Sequence, residues 1–300
     1  MVKYQIITES TGDLTPALIA ELGVTVLPMQ FNLDGASYRN YPDGRELSPA
    51  DFYAKLRAGA TCTTSQVSMA DYHDAFTPVL AGGQDILYLS FSSGLSGTCQ
   101  AANLAAQEMA EQFPDRRVLV VDSLQASMGE GLFVYLVARK AKRENLDLDA
   151  AAAYAKDLAP KVCAWFTVND LMFLKRGGRL SGAAAVAGTL LGIKPVLHVD
   201  DEGHLIAMEK VRGRRASLDA LLKHYEATVS DKNETVFISH GDCAADCAYV
   251  IDKLKALGVK EIYQGDIGPV IGAHSGPGTV ALFWVCLLYT SDAADEARSV

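Results

Sequence analysis

The residues best placed to do chemistry are hydroxyls. Ser92-Ser93-Gly94-Leu95-Ser96-Gly97-Thr98 follows the apolar run from Asp85 to Phe91 and leads into an amphipathic run, and Thr64-Ser65 forms a second hydroxyl cluster. A strand that breaks into hydroxyls and glycines and then opens a helix brings unpaired backbone N–H groups and side-chain hydroxyls to one point, as a small anion requires. His274, set among Gly272, Gly276, Pro277 and Gly278, is the one histidine in a glycine-rich segment. Donors of this kind can hold a carboxylate without an arginine, each charge-assisted bond contributing about 1.5–3 kcal/mol. Two other readings stay open on spacing alone. The residues can be ordinary helix caps and turn formers, or Ser93 or Ser96 with His274 can be the nucleophile and base of an esterase or acyltransferase. Against the last, Gly94-Leu95-Ser96-Gly97-Thr98 has Thr98 where the Gly-x-Ser-x-Gly elbow needs a glycine.

Other chemistries lack their residues. No Gly-Lys-Ser/Thr ends a phosphate-cradling loop and no His-Glu-x-x-His occurs, so neither a bound nucleotide nor a metal is expected. Cys243-x-x-x-Cys247 has no second ligand pair. A formal net charge of -9 argues against sequence-independent nucleic-acid binding, which rests on Lys and Arg neutralising phosphates. The 300 residues, 49% hydrophobic and 21% charged, read as two globular domains, residues 1–160 and 161–286, divided near Pro160. No secretory signal or membrane-spanning run is read, and Cys62, Cys99, Cys163, Cys243, Cys247 and Cys286 are too scattered for a disulfide framework. The expectation is six reduced thiols in a cytoplasmic protein.

The elements that must position these groups alternate. Strands are read at Tyr4–Thr8, Val24–Phe31, Asp85–Phe91 and Arg117–Val121. Helices are read at Thr15–Leu22, Ser48–Leu56, Met69–Leu80, from about Gly97 to Gln112, Gln125–Lys142 and Leu148–Leu158. This is the pattern of a mostly parallel, Rossmann-like α/β sheet whose ligands sit at the carboxyl ends of the strands. Asp34-Gly35 and Asp43-Gly44 mark turns of a small ribbon or lid. After Pro160, strands at Val162–Val168, Thr235–Ser239, Glu261–Gln264 and Thr279–Trp284, a hairpin of Lys194–Val199 with His204–Val211, and helices at Gly182–Leu191, Arg215–Ala227 and Ala244–Leu257 predict a second α/β layer with mixed strands.

Glu9-Ser10-Thr11-Gly12-Asp13-Leu14, Thr64-Ser65-Gln66, Ser92 to Thr98, Leu174-Lys175-Arg176-Gly177-Gly178-Arg179 and His274-Ser275-Gly276-Pro277-Gly278, in that order over about residues 3 to 284, together resemble the DegV family of bacterial fatty-acid-binding proteins. The resemblance implies one long-chain fatty acid between two domains and no other cofactor. It implies Thr64, Ser93 and His274 as carboxylate partners, with Ser65 and Ser92 adjacent. It further implies a non-catalytic subunit, without stable membrane insertion, that presents the acid to a separate ATP-dependent fatty acid kinase for acyl-phosphate formation and phospholipid synthesis; a monomer is the default expectation. Arg176 and Arg179 would face that kinase. Ala184 to Ile193 and Phe166 to Phe173 are candidate tunnel segments, a lipid-responsive regulator is the other alternative, and residues 287–300 match nothing in the family, as a non-native extension would.

Overall fold

A computed structural model describes residues 4–180 and 192–286. The helix expected at Gly182–Leu191, most of the tunnel segment from Ala184 and the tail from residue 287 lie outside the described residues.

The first half builds a parallel sheet. Strand β1 (Tyr4–Glu9) is followed by helix α1 (Pro16–Leu22), which the Thr15 hydroxyl caps by accepting from Leu18 N. Strand β2 (Thr25–Leu27) then ends at Pro28, which has no N–H to give a sheet, so the expected Val24–Phe31 strand splits. Its second part, β3 (Gln30–Leu33), joins β4 (Ala36–Arg39) and β5 (Cys62–Thr64) in a separate antiparallel sheet, in which Phe31 pairs with Thr64. Helices α2 (Pro49–Arg57) and α3 (Met69–Ala81) flank β5. Strand β6 (Asp85–Ser90), helix α4 (Thr98–Gln112) and strand β7 (Val118–Asp122) complete the parallel sheet, in the order β2-β1-β6-β7. Strand order reverses between β1 and β6, so their carboxyl ends form the crevice where open α/β sheets take ligands.

Helix α5 (Met128–Glu144) begins three residues later than the sequence suggests, because Leu124 and Ser127 hold φ of 57° and 53°. Helix α6 (Leu148–Leu158) follows, capped by Asp147. The second half is a mixed six-stranded sheet. In chain order it carries β8 (Val162–Thr167), helix α7 (Met172–Gly177), β9 (Ile193–Val199), β10 (Leu205–Arg212), helix α8 (Arg214–Thr228), β11 (Val236–His240), helix α9 (Ala244–Ala256), β12 (Ile262–Asp266), helix α10 (Pro269–Ser275) and β13 (Val280–Val285). The strand order is β10-β9-β8-β13-β11-β12, and β9 and β10 form the expected hairpin with a bulge between Ala207 and Glu209. Short helices α7 and α10 were hidden by their glycines; Pro269 at the first helical position fixes φ and starts α10. His274 therefore sits in the last turn of a helix and not in a loop.

The largest core runs through both halves. Leu132, Phe133 and Val137 of α5 belong to one buried cluster with Leu87 of the parallel sheet and Phe237, Ala281 and Phe283 of the mixed sheet. The expectation of six reduced thiols fails at two of them. Cys163 of β8 is bonded to Cys286, just past β13, with Cα atoms 5.9 Å apart. Antiparallel pairing of β8 with β13 brings together cysteines 123 residues apart, a proximity that spacing does not reveal. Cys62, Cys99, Cys243 and Cys247 are free. No helix among the described residues is long and apolar enough to cross a membrane.

Candidate functional site

Between the halves lies a cavity with about 950 Å³ of atom-free space, part of it open to solvent. Thr64, Ser65, Gln66, Ser96, Arg179 and His274 form a polar cluster on its lining, and Ser127, Ser275 and Thr279 are further polar residues of the wall. The remainder is largely apolar, walled by Phe91, Leu95 and Ala126 from the first half and Ala164, Phe166, Leu174, Val199, Leu205, Ala281 and Phe283 from the second. Of the candidate tunnel segment Phe166 to Phe173, Phe166 reaches the wall.

Thr64 ends β5, and its Oγ1 lies 2.8 Å from His274 Nε2. His274 is carried there by α10, whose first turn is seated on the first half of the chain. Gly268 N donates to Asp13 Oδ1 at 3.0 Å, and the Tyr53 hydroxyl donates to the Ile267 carbonyl at 2.9 Å. Asp13, at φ 48°, also accepts from Ser127 Oγ at 2.6 Å. The other face of the imidazole rests on Gly177 of α7, where an added Cβ would lie 3.1 Å from ring atom Cε1 and closer still to Nδ1. Burial, and then the nearby Arg179 cation, push the His274 pKa down from 6.5 to about 4, so the ring is neutral at pH 7. Its Nδ1 is buried with no partner among the described residues.

Ser96 reaches the cavity from the turn between β6 and α4. Its Oγ accepts from Thr98 N at 3.2 Å and lies 2.9 Å from Thr98 Oγ1. Gly97 lets Gln66 approach, since a Cβ there would collide with the Gln66 amide oxygen. Arg179, past the end of α7, donates from Nε to the Leu95 carbonyl at 3.1 Å and from Nη1 to the Gly177 carbonyl at 2.6 Å, which ties α7 to the serine turn.

The structure divides the expected site. Thr64, Ser65 and His274 line the cavity together, and Ser92 and Ser93 do not. Ser92 is buried, and its Oγ donates to the Gly203 carbonyl at 2.8 Å. Gly94 presses on the same hairpin turn, where a Cβ would meet Glu202 O at 2.7 Å and Gly203 O at 2.9 Å. The first half of the serine turn thus clasps the β9–β10 hairpin. Ser93 is exposed, and its backbone N–H faces the Asp122 carboxylate at 3.2–3.3 Å. The cavity-facing serine of the motif is Ser96, three residues on. Arg176 is exposed and Arg179 half-buried, so the two arginines expected to act together face different surroundings. The signal that could have separated the serines is the helix start at Thr98, because a residue two before it projects its hydroxyl over the first turn and into the crevice.

A serine nucleophile finds no support in this geometry. His274 Nε2 is engaged by Thr64, no carboxylate accepts from Nδ1 among the described residues, and a ring with a pKa near 4 is a weak base. Among the described residues no group of three or more His, Cys, Asp or Glu could hold a metal ion.

Comparison with known proteins agrees with this architecture. Residues 3–286 match the DegV family, described as uncharacterised. A DegV domain-containing protein of Clostridium perfringens is 39% identical over 95% of this chain and 98% of its own length. A fatty-acid-binding DegV family protein from Thermus thermophilus superposes with a TM-score of 0.85 at 35% identity, covering 95% of this chain and all of that one. A stearic-acid-binding protein from Eubacterium ventriosum gives 0.83 at 26% identity, covering 95% of this chain and 99% of its own. On the family match and on the C. perfringens relative, this chain belongs to the DegV family.

Proposed function

We propose that the chain binds one long-chain fatty acid in this cavity, its carboxylate at the polar end and its tail along the apolar walls. The observation that carries the reading is the lining of this cavity, in which Thr64, Ser65, Ser96, Arg179 and His274 cluster beside walls made mainly of apolar side chains. Each buried methylene contributes about 0.8 kcal/mol, and the carboxylate's lost hydration is offset by hydroxyl donors and one guanidinium. Neutral His274 donates from one nitrogen only, so it orients the site without adding charge. Ser92 and Ser93 stand outside this shell, since their polar groups serve the hairpin turn and Asp122.

The bound acid lies between a domain of residues 1–160 and one of residues 161–286, and the chain itself is a monomer in the cytoplasm. It presents the carboxylate to a separate kinase, where a carboxylate oxygen attacks the γ-phosphorus of ATP, ADP leaves, and an acyl-phosphate forms for phospholipid synthesis. That division of labour is supported by a site that has binding groups but, among the described residues, no activated nucleophile. Organic-solvent extraction of purified protein followed by mass spectrometry tests it: a C16–C18 fatty acid is expected, and its consistent absence from well-folded protein would overturn the reading.

A further inference from the structure

The register of the mixed sheet shows where the cavity ends. Alternate residues of a strand share a face, so Thr279, just before β13, and Ala281 and Phe283 within it line the cavity in steps of about 6.6 Å. Thr279 Oγ1 donates to the Ser275 and Gly276 carbonyls at 3.0 and 2.9 Å, which sets the top of this row beside the end of α10 and His274. On the antiparallel neighbour β8, Phe166 lies opposite Ala281 and Ala164 opposite Phe283, and all four residues line the cavity. Val162 and Val285 make the next pair on that face, and neither lines it. Among the described residues the cavity therefore stops, on this wall, at the pair Ala164–Phe283.

Phe283 is held there by a glycine from the other half of the chain. Gly129, in the first turn of α5, is buried, and a Cβ placed on it would lie 2.8 Å from Phe283 Cδ1, 3.0 Å from Cε1 and 2.9 Å from Gln125 Oε1. Gly129 does not have positive φ, and glycine is disfavoured inside helices, so what requires it is room for the ring. Phe283 is flanked by Phe237 on β11 and Ala164 on β8, with the Val162–Val285 pair behind it. The side left open to a displaced ring is the cavity. Gln125 closes the wall past this point, its Nε2 donating to the Val162 carbonyl at 2.8 Å. Beyond it lies a hollow with about 290 Å³ of atom-free space, lined by Gln125 and Val162 and sharing Val199 with the acid cavity.

We propose that Phe283, seated on Gly129, is the length stop of the acid cavity, and that Gly129 is the positioning residue that sets the longest fatty acid the chain accepts. The proposal rests on the fatty-acid reading above and deepens it by naming the contact that limits chain length. Each methylene that loses its apolar surroundings weakens binding about fourfold, and two about fifteenfold. A stop displaced by one ring width therefore changes which acid dominates.

Competitive loading tests it. Full-length protein as purified is incubated with an excess of an equimolar mixture of straight-chain saturated acids from C12 to C22, repurified and analysed by native mass spectrometry. Gly129→Ala is expected to move the most abundant bound acid about two carbons shorter, with at least tenfold discrimination against the acid that wild type prefers. Phe283→Ala is expected to move it at least two carbons longer, as the tail advances toward the hollow behind Gln125. Adding Phe283→Leu to Gly129→Ala should restore the wild-type range, and Leu104→Ala, an exposed side chain on α4, should leave it unchanged. If Gly129→Ala does not fold, Phe283→Ala and Phe283→Leu decide alone. A length distribution unmoved by Phe283→Ala, or an equal loss of every acid in folded Gly129→Ala, would overturn the stop. Wild type that takes up none of the acids defeats the cavity reading itself, whereas wild type that loads normally while its Phe283 variants keep the same distribution defeats only the stop.

Discussion

Thr64 Oγ1 and His274 Nε2 lie 2.8 Å apart although 210 residues separate them in the chain. One comes from the small antiparallel sheet of the first half, the other from a helix of the second, so this bond closes the polar end of the cavity across the two halves.

Removing this pair should weaken acid binding without unfolding the chain. His274→Ala and Thr64→Val each delete a bond to a charged group, about 1.5–3 kcal/mol, or roughly ten- to a hundred-fold in affinity. Displacement of a fluorescent fatty acid measures it; affinities within twofold of wild type would remove the pair from the site.

The serines separate in the same assay. Ser96→Ala should lower affinity severalfold, while Ser93→Ala, an exposed side chain outside the cavity, should leave it within error. Equal losses would return Ser93 to the carboxylate shell.

Acid should destabilise the protein through its buried imidazoles. His274 and His198 both fall from 6.5 to about 4, His274 by burial and then Arg179, His198 chiefly by burial. Depressed pKa values mean that the unfolded state binds more protons between pH 6.5 and 4, so stability is full above 6.5 and is lost as pH falls through that window. Thermal melts of His274→Ala should show a shallower decline from pH 6.5 to 4 than wild type; identical slopes would contradict a neutral buried ring.

The buried carboxyls act with the opposite sign. Glu9 and Glu130 are almost fully buried behind the end of β1, and burial raises both, Glu9 to about 7. Glu9 Oε1 accepts from Phe91 N at 2.7 Å and Glu130 Oε1 from Thr8 Oγ1 at 3.0 Å, but each second oxygen lacks a partner among the described residues. Raised values mean that their stabilisation is present below pH 4.5 and is lost as pH rises, for Glu9 through about 7 and for Glu130 over a range that also lies above 4.5. Glu130→Gln should therefore raise the melting temperature more at pH 8 than at pH 5. A gain that is equal at the two pH values would show that Glu130 is not protonated in the fold.

Much of this architecture was legible in local grammar. Thr15-Pro16 and Ser48-Pro49 open helices within a residue or two of where they lie, the helix read at Met69–Leu80 spans Met69–Ala81, and the one read at Leu148–Leu158 has those bounds. Local grammar fails where the fold brings distant residues together. Pro28 divides a strand whose pieces enter different sheets, and α7 and α10 are too short and glycine-rich to show a helical period. The cysteine pair depends on the β8–β13 register. In the site, hydroxyls at 92, 93 and 96 look alike in sequence. Only the approach of the β9–β10 turn, packed onto Gly94 and Ser92, shows that the first of them is structural.

Native mass spectrometry of the purified full-length chain tests most directly for a single fatty acid in the cavity between the halves. A folded species heavier than the denatured chain by the mass of one C16–C18 fatty acid is expected, with that species diminished in Thr64→Val and His274→Ala. Folded protein whose native and denatured masses agree, in wild type prepared without delipidation, would contradict it.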